Sequence, residues 1–178
     1  MVRRVALTAL AALLAGGCAR GTAGVVVGSA SGNFDCDVFR AGLVPPDYGD
    51  GAVAIDFGGE SRDVAEGAAA FAVDANGEQT TDPTQAAYFA VQLYQDVAPS
   101  AVEVFEVRAL PAVWRPGDIE LDGINAVAIY ARVALQGSNG VSTVIAVSTD
   151  GALHLDAAGE HVGDAVSGTI GADLESPQ

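Results

Sequence analysis

Three acidic side chains at alternate positions form the motif of this chain best suited to hold a metal ion. Asp118, Glu120 and Asp122 precede Gly123, a spacing that matches the first half of an EF-hand calcium loop. The twelfth position of such a loop would be Ile129, where calcium requires a bidentate glutamate. In a strand the same carboxylates would line a solvent-exposed face. We expect that solvated face, and calcium bridging remains the alternative.

Histidine offers little further metal or catalytic chemistry. The chain has two histidines, His154 and His161. His154 lies two residues before Asp156, so in a strand the two side chains share a face and would need a third ligand to hold a transition metal. An exposed histidine near an exposed aspartate is the more common arrangement. We therefore predict no metal site here.

Paired carboxylates are the remaining candidates for catalysis. Asp35 with Asp37, and Glu103 with Glu106, are close enough in sequence to be candidates for the general acid and general base of polysaccharide hydrolysis. A chain with 23 acidic residues offers many such pairs, and no Gly-x-Ser-x-Gly, His-Glu-x-x-His, Cys-x-x-Cys or phosphate-loop motif accompanies them. We predict no catalytic residues and no cofactor. An envelope enzyme acting on glycans is the alternative.

The only tryptophan lies in a proline-bounded loop over residues 110–117. Trp114, with Arg115 beside it, has the features needed to stack on a sugar ring or to anchor a protein partner. A lone tryptophan next to prolines more often covers the end of a β core. We expect that structural role.

The first eighteen residues have the pattern of an export signal. Arg3 and Arg4 precede an apolar run over residues 5–14, which is shorter than the roughly 20 residues of a bilayer-spanning helix. The step Leu14-Ala15-Gly16-Gly17-Cys18 resembles the lipobox of bacterial lipoprotein signal peptides. The resemblance implies cleavage before Cys18, lipidation of its sulfur, and a location in the bacterial cell envelope, at the outer membrane or facing the periplasm. It implies no activity.

A lipid on Cys18 would leave Cys36 as the single thiol, so no intrachain disulfide is expected. Cys36 lies between Asp35 and Asp37, whose charges disfavour the thiolate. We expect an unreactive cysteine.

Composition and charge restrict the possible partners. Half of the chain is apolar, which predicts a folded domain, and its length fits one core. The 23 acidic residues outweigh 8 basic ones, all of them arginines, for a net charge of −15. Such a field repels phosphate backbones and anionic headgroups. We expect no nucleic-acid partner and a membrane contact made by the lipid alone. A protein or glycan partner remains open.

A period of two dominates the body of the chain. Val53, Ile55 and Phe57 alternate with small or acidic residues, as in a half-buried strand. Over residues 101–110 the alternation changes phase, which predicts a β-bulge near Val104. About nine or ten short strands separated by turn residues predict a mostly β fold, as an antiparallel β-sandwich or a partly closed barrel.

The segment 118–174 predicts an antiparallel meander. Ser138-Asn139-Gly140 is typical of a hairpin, and Asp150-Gly151 of a second turn. The expected strands cover residues 126–135, 141–148 and 152–156. The stretch from Gly151 to Leu174, with Gly-Ala-Leu-His-Leu-Asp and Val-Ser-Gly-Thr-Ile, resembles terminal hairpins in small extracytoplasmic β-domains of bacterial lipoproteins. That resemblance implies a fold and no function.

One segment fits both helix and strand. Asp82, Pro83 and Gln85 match an N-cap, a proline in the first turn and a glutamine that reaches back. The apolar residues that follow suit either period, and their types favour a pleated surface. We expect a strand over residues 88–95, and a short helix near 83–97 is the alternative.

Together these patterns predict three parts: a signal peptide over 1–17, a flexible tether over 18–32 and a single β-rich domain over 33–175. Within the tether, Val25-Val26-Val27 could equally form an edge strand. The expected protein is a lipid-anchored envelope domain with a binding or structural role. A calcium-assisted adhesion or ligand-binding module is one alternative, and the glycan-acting enzyme is another.

Overall fold

A single antiparallel sheet contains most of the residues that the structure describes. The structure is a computed structural model, and it describes residues 22–33, 49–65, 67–98, 101–136 and 139–177. The strands are β1 (Ala23–Asn33), β2 (Gly49–Phe57), β3 (Glu60–Val64), β4 (Gly67–Asp74), β5 (Gln79–Thr80), β6 (Ala86–Ala98), β7 (Ala101–Ala109), β8 (Gly117–Glu120), β9 (Ala126–Gln136), β10 (Asn139–Ala158) and β11 (Ala165–Glu175). Their order is β3-β2-β1-β11-β10-β9-β7-β6-β4-β5, and β8 pairs with β10.

The sheet curls strongly into a half-barrel, so the mostly β, antiparallel fold predicted from the sequence is confirmed. Contacts of β4 with β1 and β2, and of β3 with β6 and β7, bring the two halves of the sheet face to face. Apolar side chains on the concave side form the core, among them Val26, Val53, Ile55, Leu93, Phe105, Leu153, Leu155 and Leu174. Their burial stabilises the curl, because each removes apolar surface from water.

The strand between residues 49 and 57 shows how the sequence produces this sheet. Val53 and Ile55 are buried, whereas the alanines that alternate with them are exposed. Gly58 and Gly59 then turn the chain into β3 with φ angles of 64° and 81°. Two consecutive residues with positive φ are what a tight hairpin turn needs, and glycine adopts that conformation without a steric penalty.

The alternative of a helix over 83–97 is wrong beyond its first turn. Asp82 accepts a hydrogen bond from the Thr84 backbone N–H at 2.9 Å and another from Gln85 Nε2 at 2.9 Å, as the capping pattern predicts. The resulting 3-10 turn covers only Pro83–Gln85. Pairing with β4 and β7 then holds the chain extended as β6. The strand expected over 88–95 lies within β6.

The tether expected over 18–32 is wrong for residues 23–32, which belong to β1. This strand pairs with β2 on one side and β11 on the other. Its small residues serve close packing rather than flexibility: a Cβ on Gly28 would lie 2.3 Å from the Ala52 carbonyl oxygen. The β domain therefore begins before residue 33. Residues 18–21 lie outside the described residues.

Three other sequence expectations also need correction. Asp150-Gly151 is not a turn, because β10 continues through it with a register shift against β11 between Ser148 and Asp150. No bulge occurs at Val104, since β7 pairs with β9 without a shift. The alternation changes phase there because both faces of β7 are buried. β9 and β10 pair as the expected hairpin, but Asn139 and Gly140 already belong to β10 and pair with Gln136 and Leu135, so the expected turn position is wrong for these two residues. Residues 137–138 lie outside the described residues.

Candidate functional site

A charged pocket lies between the β2–β3 hairpin and strands β7, β9 and β10. Its volume is about 140 Å³, and its lining residues are Ile55, Phe57, Glu60, Arg62, Glu103, Tyr130, Arg132 and Ile145. Two of the four arginines among the described residues, Arg62 and Arg132, therefore converge on one cavity. In a chain with so few cations this is an unusual concentration of positive charge beside two carboxylates.

Strand register and sheet curl together assemble the pocket. Glu103 on β7 lies directly opposite Arg132 on β9, and Phe105 lies opposite Tyr130 in the same way. All four side chains share the concave face, because residues two apart in a strand point to the same side. Arg62 comes from β3, at the far edge of the sheet order, and reaches the pocket because the curl brings β3 against β7.

Glu103 is a buried carboxylate between Arg62 of β3 and Arg132, its cross-strand neighbour, and only Arg62 lies within ion-pair distance. Its side chain is 3% exposed, and Arg62 Nη1 lies 3.7 Å from Glu103 Oε1, which is longer than a hydrogen bond. Arg62 Nη2 instead donates to Glu60 Oε2 at 2.5 Å. The Glu103 carboxylate, followed by the hydrogen bond to Glu60, raises the pKa of the Arg62 guanidinium. The carboxylate thus keeps capacity to accept hydrogen bonds.

Tyr130 carries a poorly satisfied polar atom in the same place. The residue is 3% exposed, and the contact of its Oη with the Glu103 carboxylate lacks the geometry of a normal hydrogen bond. Burial, then this contact and the charge of Glu103, raise the pKa of the phenol well above its usual value. The hydroxyl therefore keeps its proton at neutral pH and can act as a donor. An unsatisfied buried hydroxyl costs about 1–3 kcal/mol, which a ligand could recover.

Arg132 completes the set of binding groups. It lines the pocket, and its guanidinium makes no ion pair or hydrogen bond with any described residue. A free guanidinium recognises a carboxylate through two parallel N–H donors. Arg132, Tyr130 and Glu103 therefore present a cation, a neutral donor and an anion on adjacent strands.

A second cavity is apolar and too narrow to compete with this pocket. It lies in the core, where Val53, Leu93, Phe105, Leu155 and Ile170 contribute to its wall, and its volume is about 30 Å³. A space of this size has room for about one water molecule and for no larger ligand. We interpret this space as imperfect packing between the two halves of the sheet.

The acidic motif at 118–122 does not converge on one point. Asp118 pairs with His154, with 2.6 Å between Oδ1 and Nδ1, and Asp122 Oδ1 accepts the backbone N–H groups of Ile124 and Asn125. Those backbone bonds lower the pKa of Asp122 to about 2. Within the described part of the chain, no group of three His, Cys, Asp or Glu side chains is arranged to hold a metal ion.

His154 lies between two carboxylates rather than beside one. Asp118 is its hydrogen-bond partner, and Asp156 Oδ1 lies 3.6 Å from Nε2. Asp118, through its hydrogen bond, raises the pKa of His154, and Asp156 adds a smaller contribution of the same sign. All three side chains are exposed. The cluster is an ion-pair arrangement on the surface of β8 and β10.

The suggested carboxylate pairs do not form a catalytic site among the described residues. Glu103 faces the pocket, whereas Glu106 is on the opposite face of β7, where Gln92 Nε2 donates to it at 2.8 Å and Arg108 pairs with it. Asp35 and Asp37 lie outside the described residues, as do Cys18 and Cys36. The lipidation of Cys18 therefore stays a prediction.

Trp114 has the structural role expected from the sequence. It is buried, its ring stacks on Phe89 with 5.3 Å between centroids, and Nε1 donates to the Gly159 carbonyl at 3.0 Å. The side chain thus joins the 110–117 loop to β6 and to the end of β10.

Arg62, Tyr130 and Arg132 match no motif and were not predicted as site residues. Arg132 carried a usable signal, since it lies between apolar residues in a strand of a chain without lysine. Its alternation with Tyr130 put both side chains on the inward face. The contribution of Arg62 depends on the curl of the sheet, which has no local signal.

Comparison with known proteins gives no relative for this chain. No family model, curated protein or solved structure matches it. Among the described residues, no helix has the length and apolar character that crossing a membrane would require.

Proposed function

We propose that this protein is a lipid-anchored domain of the bacterial cell envelope that binds a small zwitterionic molecule in the charged pocket. The observation that carries the proposal is the exposed Arg132 guanidinium, which has no ion pair among the described residues, beside the buried Tyr130 hydroxyl, whose contact with Glu103 is not a normal hydrogen bond. Polar groups left without partners in a concave site favour a ligand that supplies those partners.

The three binding groups define the ligand chemistry. A carboxylate would bind the Arg132 guanidinium through two hydrogen bonds and accept a third from Tyr130 Oη. An adjacent ammonium would bind the Glu103 carboxylate, whose present cation, Arg62, is 3.7 Å away. The volume of about 140 Å³ limits the ligand to the size of a small α-amino acid. Binding, not catalysis, is therefore the activity that we propose.

The envelope location rests on the lipobox-like step before Cys18. Lipids on this cysteine would hold the domain at the membrane, while the net charge of −15 keeps its surface away from anionic headgroups. Incorporation of radiolabelled palmitate in a bacterial host tests the anchor. The wild-type chain should be labelled and the Cys18→Ser chain should not. Equal labelling of both would disprove the anchor.

Ligand binding can be tested by thermal unfolding of the Cys18→Ser chain with L-alanine, propionate or ethylamine at matched ionic strength. L-alanine should raise the melting temperature with a saturable dependence, because a ligand at 100 times its Kd stabilises the folded state by about 2.7 kcal/mol. Propionate and ethylamine each lack one of the two charges and should give much smaller shifts.

Two variants make the test specific to the pocket. Arg132→Gln removes the guanidinium that should hold the carboxylate, so the response to L-alanine should be lost. Arg115→Gln removes an exposed arginine from the loop before β8 and should leave the response intact. An equal response from both variants, or no response of the parent chain beyond that to sodium chloride, would rule out this function.

A further inference from the structure

Arg62 lies between two carboxylates of the charged pocket, at different distances from each. Its Nη2 donates to Glu60 Oε2 at 2.5 Å, whereas its Nη1 lies 3.7 Å from Glu103 Oε1. The first contact is a charge-assisted hydrogen bond, and the second is too long to be one. Arg62 is therefore bonded to Glu60 and only attracted by Glu103.

The register of the β2–β3 hairpin puts both members of the shorter pair on the inner face. Glu60 lies opposite Phe57, and Arg62 lies opposite Ile55, which is buried in the core. Side chains two residues apart in a strand point to the same face, so Glu60 and Arg62 line the pocket together. Glu103 faces them from β7, on the other side of the cavity.

The two carboxylates differ in exposure. The Glu60 side chain is 69% exposed, and the Glu103 side chain is 3% exposed. Water screens the attraction between Arg62 and Glu60 more than that between Arg62 and Glu103. The Glu103 carboxylate is accordingly the largest cause of the raised pKa of the Arg62 guanidinium, ahead of the hydrogen bond to Glu60. Glu103 thus attracts Arg62 strongly, although the shorter contact belongs to Glu60.

The geometry of the guanidinium explains why Arg62 stays short of Glu103. A full arginine–carboxylate pair uses two parallel N–H donors, with N–O distances of about 2.7–2.9 Å. The bond from Nη2 to Glu60 occupies one of the donors available for such a pair. Without Glu60, a movement of roughly 1 Å would bring Nη1 within hydrogen-bond distance of Glu103 and would leave Nη2 free to join it.

The ligand requires the same carboxylate, and in this respect the inference rests on the proposed function. A ligand ammonium is expected at Glu103, where Arg62 is the cation within ion-pair distance. Two cations that approach one carboxylate repel each other, so each weakens the binding of the other. Arg62 is in this sense an internal competitor of the ammonium, and the strength of its contact with Glu103 depends on Glu60.

We propose that Arg62 is the internal cation that a ligand ammonium displaces from Glu103, and that Glu60 is the positioning residue that keeps Arg62 displaceable. The two residues make the pocket selective for zwitterions. A carboxylate without an ammonium leaves Arg62 beside Glu103 and gains only the contacts around Arg132. An amine without a carboxylate has to displace Arg62 with no second contact to support it.

Dissociation constants for L-alanine, measured by NMR titration of the full Cys18→Ser chain at low salt, test these roles. Arg62→Gln removes the competitor and should tighten binding about three- to fivefold, the factor that corresponds to an ion pair near the surface. Glu60→Ala lets Arg62 close on Glu103 and should weaken binding by a similar factor. Glu120→Ala removes an exposed carboxylate on β8, outside the pocket, and should leave the constant unchanged.

The double variant Glu60→Ala/Arg62→Gln separates this mechanism from a direct contact of Glu60 with the ligand. Its dissociation constant should equal that of Arg62→Gln alone, because Glu60 acts through Arg62. Unchanged or weaker binding by the Arg62→Gln chain would overturn the proposal, since Arg62 would then not compete with the ligand. A Glu60→Ala effect that is absent, or that is equally large with and without Arg62, would also overturn it.

A measurement without ligand distinguishes failure of this proposal from failure of the proposed function. If the parent chain does not bind L-alanine, the zwitterion pocket itself is disproved. The positioning role of Glu60 is then decided by urea unfolding of Arg62→Gln, Glu103→Gln and their double variant, in chains with Glu60 and with Glu60→Ala.

The coupling between Arg62 and Glu103, expressed as a ratio of unfolding constants, should be about three- to fivefold larger in the Glu60→Ala chain. An equal or smaller coupling would show that Glu60 does not keep Arg62 from Glu103, and it would overturn the proposal even in a chain that binds L-alanine.

Discussion

Glu103 on β7 and Arg62 on β3 face each other across the open side of the half-barrel, with 3.7 Å between Oε1 and Nη1. The two strands are far apart in the order of the sheet, so the pair joins an edge strand to an inner one. The same pair forms one wall of the charged pocket. The Arg62–Glu103 pair thus contributes both to the stability of the fold and to the wall of the proposed binding pocket. Variants of the pocket residues can separate the two contributions.

Arg62→Gln should lower the free energy of unfolding by about 1–2 kcal/mol. The substitution removes the cation that lies within ion-pair distance of the buried Glu103 carboxylate. The cost stays below that of a fully buried pair because Arg62 is partly exposed and Arg132 remains opposite Glu103. Urea denaturation followed by circular dichroism measures the change. Arg115→Gln is the control and should cost less than about 0.5 kcal/mol. Equal values for the two variants would show that the Arg62–Glu103 contact contributes nothing.

Tyr130→Phe should leave stability unchanged or raise it by up to about 1 kcal/mol, while weakening the response to L-alanine. The hydroxyl has only a distorted contact with Glu103 to lose, and its removal relieves a poorly satisfied buried group. Chemical denaturation with and without L-alanine tests both statements. A loss of 1 kcal/mol or more without ligand would indicate that the hydroxyl already has a partner, which contradicts our description of the pocket.

Trp114→Ala should lower the free energy of unfolding by about 3–5 kcal/mol, as expected for deletion of a buried aromatic side chain. Trp114→Phe keeps a ring against Phe89 but loses the hydrogen bond to the Gly159 carbonyl. Loss of that bond should lower the free energy of unfolding by about 1 kcal/mol, in addition to the destabilisation caused by the smaller ring. Circular dichroism is the suitable probe, since no other tryptophan is present. If Trp114→Ala left the free energy of unfolding nearly unchanged, Trp114 would not anchor the 110–117 loop to the core.

The His154 imidazole should titrate above its usual range in the folded chain. The hydrogen bond to Asp118 is the main cause of the raised pKa. Any stabilisation from the protonated imidazole is therefore fully present below the pKa of His154 in the unfolded chain, and it is lost as pH rises through the pKa in the folded chain. NMR titration of the ring protons measures this pKa. Asp118→Asn should lower it more than Asp156→Asn, because the Asp118 contact is 2.6 Å and the Asp156 contact 3.6 Å. The reverse order would be inconsistent with the structure.

Local patterns predicted the strands but not their partners. The alternation around Val53 and the hairpin residues at 138–140 indicate a strand and a turn, because both signals lie within a few residues. The pairing of β1 with β11 depends instead on residues more than a hundred positions apart. The Gly-rich composition of β1 wrongly indicated a flexible tether. Gly28 is required instead because the backbone of β2 leaves no space for a Cβ at this position.

The candidate site was harder to predict than the fold for the same reason. Glu103 was noted as one of a pair with Glu106, yet strand geometry puts the two on opposite faces of β7. Its actual neighbours, Arg62 and Arg132, come from β3 and β9. Only the register and curl of the sheet bring these groups together, and neither can be read from the spacing of acidic residues.

The proposed ligand site is tested most directly by NMR of the Cys18→Ser chain with isotope-labelled tyrosine, titrated with L-alanine. The account predicts that the ring signals of Tyr130 shift with a saturable dependence, while those of Tyr88, on the opposite face of the sheet, stay in place. Absence of a Tyr130 shift at millimolar L-alanine, or equal shifts of both tyrosines, would contradict the claim that this pocket binds a small zwitterion.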